Sequence, residues 1–412
     1  MFAAILVLMC IAVGIYFSIS STPVPIKVGI LHSETGTMSI SEKSVRDATI
    51  MAIEEINAKG GLLGRMIEPI VVDGKSDPAT FAVRARQLIT QQRVTVIFGC
   101  WTSACRKSVK PVVEKYNHLL FYPVQYEGLE QSPNIVYTGA TPNQQILPAV
   151  KWCIDELQAS KFFLVGSDYV FPRTANAIMR AQIEALRGEV VGEQYILLGS
   201  TDVNDVVDKI VDANPDVILN TINGDSNVSF FDALQTAGIT ADVIPTMSFS
   251  IAEEELRSMD PKTISGNFAT WNYFQSGEGE INQQFVKRFQ RRYGADRVTD
   301  DPIEAGYFGV YLWAQAVEDA GTPVVAEVLH KLGQQSFAAP QGIVSIENEN
   351  QHTWKTVRVG QIRRDGQFDV VWTSGRPVRP VPYPVYRSRV QWNLFLKQLY
   401  DQWGGQWSNP GD

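Results

Sequence analysis

Residues 26–33 read IKVGILHS and residues 162–168 read FFLVGSD. Each is a short, largely apolar run that ends on small or polar residues, as a strand buried on both faces of a parallel sheet does. Each is followed by a segment of helical period. After the first run, Val45, Ala48, Ala52 and Ile56 recur on one face, Ser39 or Ser41 stands at the expected cap, and Gly60 and Gly61 stop the helix. The two runs are therefore expected to be equivalent first strands of two similar lobes, although no repeat is close enough to identify from sequence alone.

The same alternation extends outward. Strands are expected over 67–72, 94–99 and 119–122, with helices starting near Pro78 and after Ser103. A second series follows, with strands over 162–166, 190–196, 217–221 and 243–246 and helices through Trp152, over 173–187 and 203–213, and from Asn227. The sequence WNYF (271–274), a helix through Phe289 and a long apolar helix over 304–320 look like a return to the first lobe. From Gly342 the chain reads as β-rich, with strands over 344–346, 355–362 and 368–372 and a turn at Asp365 and Gly366. The Pro-rich stretch 377–384 is extended, and an amphipathic segment over 390–403 follows without an evident partner. The predicted fold class is α/β, two doubly wound parallel-sheet lobes with a ligand cleft between them. The first lobe is assigned to 24–143 with 273–344, the second to 144–272 with 345–384, and 385–412 form a C-terminal extension.

Composition agrees with two cores and narrows the function. A chain of 412 residues that is 45% hydrophobic exceeds what one core usually organises. The net charge of −8, without a long run of one sign, argues against nucleic acid as a partner. No charged side chain occurs before Lys27, and 2–19 are nearly all apolar, so 1–22 are expected to be a signal peptide or a membrane anchor. Met9 before Cys10 is a poor lipidation context. In either case the folded part is expected outside the cytoplasm, in the periplasm if the cell has one. Cys100, Cys105 and Cys153 lack metal-ligand spacing and are expected to be buried thiols, and His32, His118, His330 and His352 are scattered singly. No nucleotide loop, metal motif or nucleophile elbow occurs, so no cofactor, metal or catalytic residue is expected.

Ligands of open parallel sheets sit beyond the carboxyl ends of the strands. That rule selects the loops 32–38, 99–103, 122–128, 166–172, 223–226 and 247–250. Ser103 at a helix start is the first choice for a ligand contact, with Trp101 as a pocket wall. Tyr169 and Phe171 would form an apolar lid, Gln125 would offer an amide, and Asn223 and Asp225 lie in the facing loop of the second series. Glu127 is expected at the surface or at a hinge.

The runs FGCWTSACRK (98–107), LLFYPVQYEGLEQSPNIVYTGATPNQQ (119–145), FFLVGSDYVFPRTAN (162–176), NTINGDSNVSFF (220–231), SFSIAEEEL (248–256), RVTDDPIEAGYFGVYLW (297–313) and QHTWKTVRVGQI (351–362) closely resemble the urea-binding proteins of ABC transporters. These belong to the type I periplasmic binding proteins. The resemblance spans 26 to about 384 and implies two lobes joined by three crossings, a hinge closure, urea or a short-chain amide as ligand, and a membrane permease as partner. It places ligand contacts at Trp101, Ser103, Val124, Gln125, Tyr169 and Phe171. Amide-binding relatives have Thr and Pro where this chain has Val124 and Gln125, and a second Tyr where it has Phe171. Two other functions are weighed, an amide sensor acting on a signalling partner and an amidase.

Overall fold

A computed structural model describes residues 23–411, so the expected leader or anchor over 1–22 lies outside the described residues. Five strands, β1 (Ile26–His32), β2 (Ile67–Asp73), β3 (Ile97–Gly99), β4 (Leu120–Tyr122) and β5 (Ile135–Tyr137), form an all-parallel sheet in the order β2-β1-β3-β4-β5. The second sheet contains β6 (Lys161–Ser167), β7 (Glu189–Ile196), β8 (Val217–Thr221), β9 (Thr246–Ser248) and β10 (Phe268–Trp271) as its parallel part. β11 (Ser336–Ala339), β12 (Gly342–Ile346), β13 (Thr353–Ile362) and β14 (Phe368–Val378) join it in antiparallel fashion through β10. β1 lies between β2 and β3 as β6 lies between β7 and β8, so the two opening runs occupy the same place in their sheets.

Period-2 packing explains the second sheet. Phe162 and Leu164 point into one apolar cluster while Phe163 and Val165 point into another, one on each face. Around the first sheet a single cluster joins Val28, Ile30, Phe98 and Phe121 to Phe285, Phe289, Phe308 and Trp313, so the chain does come back to its first core. Asn272 ties three segments that run between the lobes: its Nδ2 donates to the carbonyls of Gln144 at 3.0 Å and Thr356 at 3.2 Å.

Several local expectations are corrected. Neither Ser39 nor Ser41 caps the helix Ser39–Ala58; Met38 precedes it without a side-chain bond, and Ser41 reaches the other lobe instead. The helix expected over 173–187 is Val170–Ala185, because Val170 and Phe171 already have apolar neighbours to pack against. The strand expected over 243–246 is Thr246–Ser248, since the amides of Val243 and Ile244 close a turn onto the Thr240 carbonyl. The amphipathic C-terminal segment is the helix Arg389–Gln402, capped by Ser388, and its partner is the helix Val170–Ala185. No helix among the described residues is long and apolar enough to cross a membrane.

Candidate functional site

At the carboxyl end of β3 the chain turns through Gly99, Cys100 and Trp101 into the helix Ser103–Lys115. The capping oxygen is that of Thr102, which accepts from the Cys105 amide at 3.1 Å. That frees Ser103 for other bonds. Its hydroxyl donates to Glu127 and accepts from Arg106 Nη1 at 3.0 Å. Arg106 has no exposed surface; its Nε meets Glu130 at 2.8 Å and its Nη2 meets Glu127 at 3.1 Å. Lys107 completes the group at 3.0 Å from Glu130, so two cations face two carboxylates in a buried, charge-balanced cluster. The guanidinium lies 4.7 Å from the Tyr122 ring centre and 4.4 Å from that of Tyr126. Burial alone would raise the Glu130 carboxyl, but the charges of Arg106 and Lys107 outweigh it and hold Glu130 well below the usual carboxylate range. Glu127, expected at a surface or hinge, is instead wholly buried, because Arg106 compensates its charge.

The cluster is anchored to the segment running between the lobes. Tyr126 bonds His352 Nε2, and the His352 and Tyr137 rings stack at 4.1 Å. Burial pushes the His352 imidazole down to about 3, so the ring is neutral. Its Nδ1 lies 2.7 Å from the Asn350 carbonyl, which fixes the proton there and leaves Nε2 to accept from Tyr126.

Facing loops of the two lobes meet at one carbonyl. Gln125 Nε2 donates to Phe249 O at 2.9 Å, and Gln145 Nε2 donates to the same oxygen at 3.2 Å and to Thr270 O at 2.8 Å. Two further bridges join the lobes nearby, Ser41 Oγ to Glu255 at 2.5 Å and Thr37 to Asp225. Several buried atoms here find no hydrogen-bond partner among the described residues: Gln125 Oε1 and Gln145 Oε1, whose amides share the Phe249 carbonyl, Ser250 Oγ on the next residue, and Trp101 Nε1 in the loop after β3. An orphaned buried polar atom costs about 1–3 kcal/mol, so a small polar guest that satisfies several of them gains considerably.

Of the residues expected to contact ligand, Trp101, Val124, Gln125, Tyr169 and Phe171 are all buried. The Ser103 hydroxyl is occupied by the ion cluster. Phe171 lies in the first turn of a helix, not in a loop, and packs in the same cluster as Tyr169, 6.3 Å away between ring centres. Asn223 Nδ2 is taken up by Thr221 O at 3.0 Å, and Asp225 is exposed at the rim. The strand-end rule selects the loop containing Ser250, whereas no local signal marks Gln145, which reaches Phe249 O only in the folded chain. A groove of 870 Å³ lies elsewhere, lined by Tyr273, Phe274, Arg358 and Phe368 and by none of these residues. Cys100, Cys105 and Cys153 are free and buried. Burial drives the Cys100 and Cys105 thiols upward, the reverse of what a nucleophile needs.

Comparison with known proteins places this architecture. Leu/Ile/Val-binding protein homolog 7 of Brucella abortus is 23% identical over 87% of this chain and 91% of its own length. An amino acid binding protein of Pseudomonas aeruginosa is 24% identical over 46% of this chain, and a limonene hydroxylase of Geobacillus stearothermophilus is 34% identical over 30% of it. The matched segments span only 52% and 23% of those two proteins. Among solved structures, an R. palustris ABC-transporter solute binding protein in complex with 4-hydroxybenzoate superposes with a TM-score of 0.74 at 22% identity, covering 85% of this chain and 96% of that one. The substrate binding protein LivJ of Streptococcus pneumoniae, in complex with isoleucine, gives 0.74 at 21% identity, covering 86% and 100%. The model of the periplasmic binding protein domain matches residues 26–389, and the chain belongs to that family.

Proposed function

We propose that this chain is an extracytoplasmic receptor that closes on urea, or on a short-chain amide, and delivers it to the permease of an ATP-driven transporter. The observation that carries the reading is the polarity of the unpaired buried set. Urea has one carbonyl that needs donors and two amino groups that need acceptors. Trp101 Nε1 can only donate, the Oε1 atoms of Gln125 and Gln145 can only accept, and Ser250 Oγ can do either. Tyr169 and Phe171 supply apolar wall, and Val124 lies beside Gln125.

The solved relatives hold 4-hydroxybenzoate or isoleucine, whose carboxylate needs a cation or helix-start N–H donors. Arg106, close to this loop, is committed to Glu127 and Glu130, and Lys107 to Glu130. That favours a neutral ligand. In this reading 24–143 with 273–344 and 144–272 with 345–384 are the closing lobes, and 1–22 either tether the receptor or are removed. The ligand's size limits affinity: at about 1.5 kcal/mol for each of four heavy atoms, Kd falls on the order of tens of micromolar.

Trp101→Phe keeps the ring and removes Nε1, so it should weaken urea binding by about 1–1.5 kcal/mol, roughly tenfold, in equilibrium dialysis. Unchanged affinity would remove Trp101 from the site. Failure of the native protein to saturate with urea below about 10 mM, far above the size limit, would overturn the reading.

A further inference from the structure

The family match ends at residue 389, yet the chain continues through the helix Arg389–Gln402 into a tail that the described residues follow to 411. The tail attaches at two places. Trp407 to Asn409 run antiparallel beside Asp168 to Val170, with a bridge between Tyr169 and Ser408. The Val170 amide donates to Trp407 O at 2.9 Å, the Asn409 amide donates to Asp168 O at 3.0 Å, and Asn409 Nδ2 donates to Asp168 Oδ2 at 2.7 Å. The second attachment is to the other lobe. The Trp407 ring centre lies 4.8 Å from Lys107 Nζ, the same nitrogen that bonds Glu130. Tyr400 braces the indole from the helix side at 4.6 Å.

We propose that Trp407 and Asn409 are positioning residues for ligand retention. They fix the backbone that presents Tyr169 and Phe171, and they clip that segment to the helix Ser103–Lys115 across the rim of the cleft. Opening the lobes must separate the indole from Lys107 or peel the tail from Asp168, so the tail slows release more than it affects capture. The nature of the ligand rests on the function proposed above; the clip itself rests on the tail geometry.

The helix Arg389–Gln402 is anchored independently by Trp392, Leu396 and Leu399, so substitutions in the tail leave its packing in place. In stopped-flow measurements with urea on the full chain, Trp407→Ala is expected to speed dissociation about tenfold with association nearly unchanged. Trp407→Phe keeps a ring under Lys107 and should restore most of the slow release. Asn409→Ala should give a smaller effect of the same sign. Unchanged dissociation in Trp407→Ala, or equal loss in the Ala and Phe variants that follows melting temperature, would overturn the proposal. A readout without ligand separates this failure from failure of the urea reading: amide hydrogen exchange at Val170 should accelerate in Trp407→Ala. If that exchange is unchanged, the clip is wrong whether or not urea binds.

Discussion

Arg106 shows how much one side chain can hold in place. It is fully buried against two tyrosine rings, with its charge answered by Glu127 and Glu130. Arg106→Met would leave both carboxylates short of a partner, and removing one member of such a group typically costs about 3–5 kcal/mol, read as a lower denaturant midpoint. Ser103 belongs to the same cluster. From its place at a helix start, Ser103→Ala would be expected to weaken binding by about 1–2 kcal/mol at unchanged stability. With its hydroxyl bonded to Glu127 and Arg106, the melting temperature should fall as well.

Titration adds a test at the same scale. Burial pushes the Glu253 and Glu304 carboxyls from 4.5 up to about 8, and the Asp300 carboxyl well upward. The folded chain keeps these protons while the unfolded chain releases them, so their stabilisation is complete below 4.5 and is lost as pH rises to about 8. His352 acts in the opposite direction: held neutral down to about 3, its contribution is complete above 6.5 and is lost as pH falls towards 3. Melting temperature should therefore decline between about pH 6.5 and about pH 8, and Glu253→Gln should flatten the decline. A rise over that interval would contradict the burial of these acids.

At the scale of elements, the loop after β4 is set by close backbone contact. A Cβ on Gly139 would lie 2.0 Å from the Val124 carbonyl oxygen and 2.6 Å from the Gln125 nitrogen. Gly139→Ala should displace that peptide and weaken urea binding by about tenfold or more, measured by calorimetry. Long buried strands and helices with clear faces were legible in the sequence, as β1, β6, β8 and the helix Ser39–Ala58 show. The strand β5 was not, because 123–134 connect it to β4 without a helix and so break the strand–helix alternation that marks the others. Nor was the start at Val170, where tertiary packing decides the boundary. Of the proposed site, Trp101 and Gln125 can be put forward from position along a strand alone. Gln145 joins the proposed site only through the Phe249 carbonyl that it shares with Gln125, and Glu127 is buried only because Arg106, 21 residues earlier, folds against it.

At the scale of the whole molecule, the proposed receptor is two-lobed and encloses a small neutral ligand. Because the proposed ligand carries no charge, affinity should change less than about twofold between about 0.05 and about 0.5 M salt in dialysis, and a steep dependence would indicate a charged ligand. The most direct measurement is isothermal calorimetry of residues 21–412 against urea, acetamide, formamide and leucine. Saturable one-to-one binding of urea with leucine silent is expected; saturable leucine binding with urea silent would contradict a receptor for a small neutral ligand.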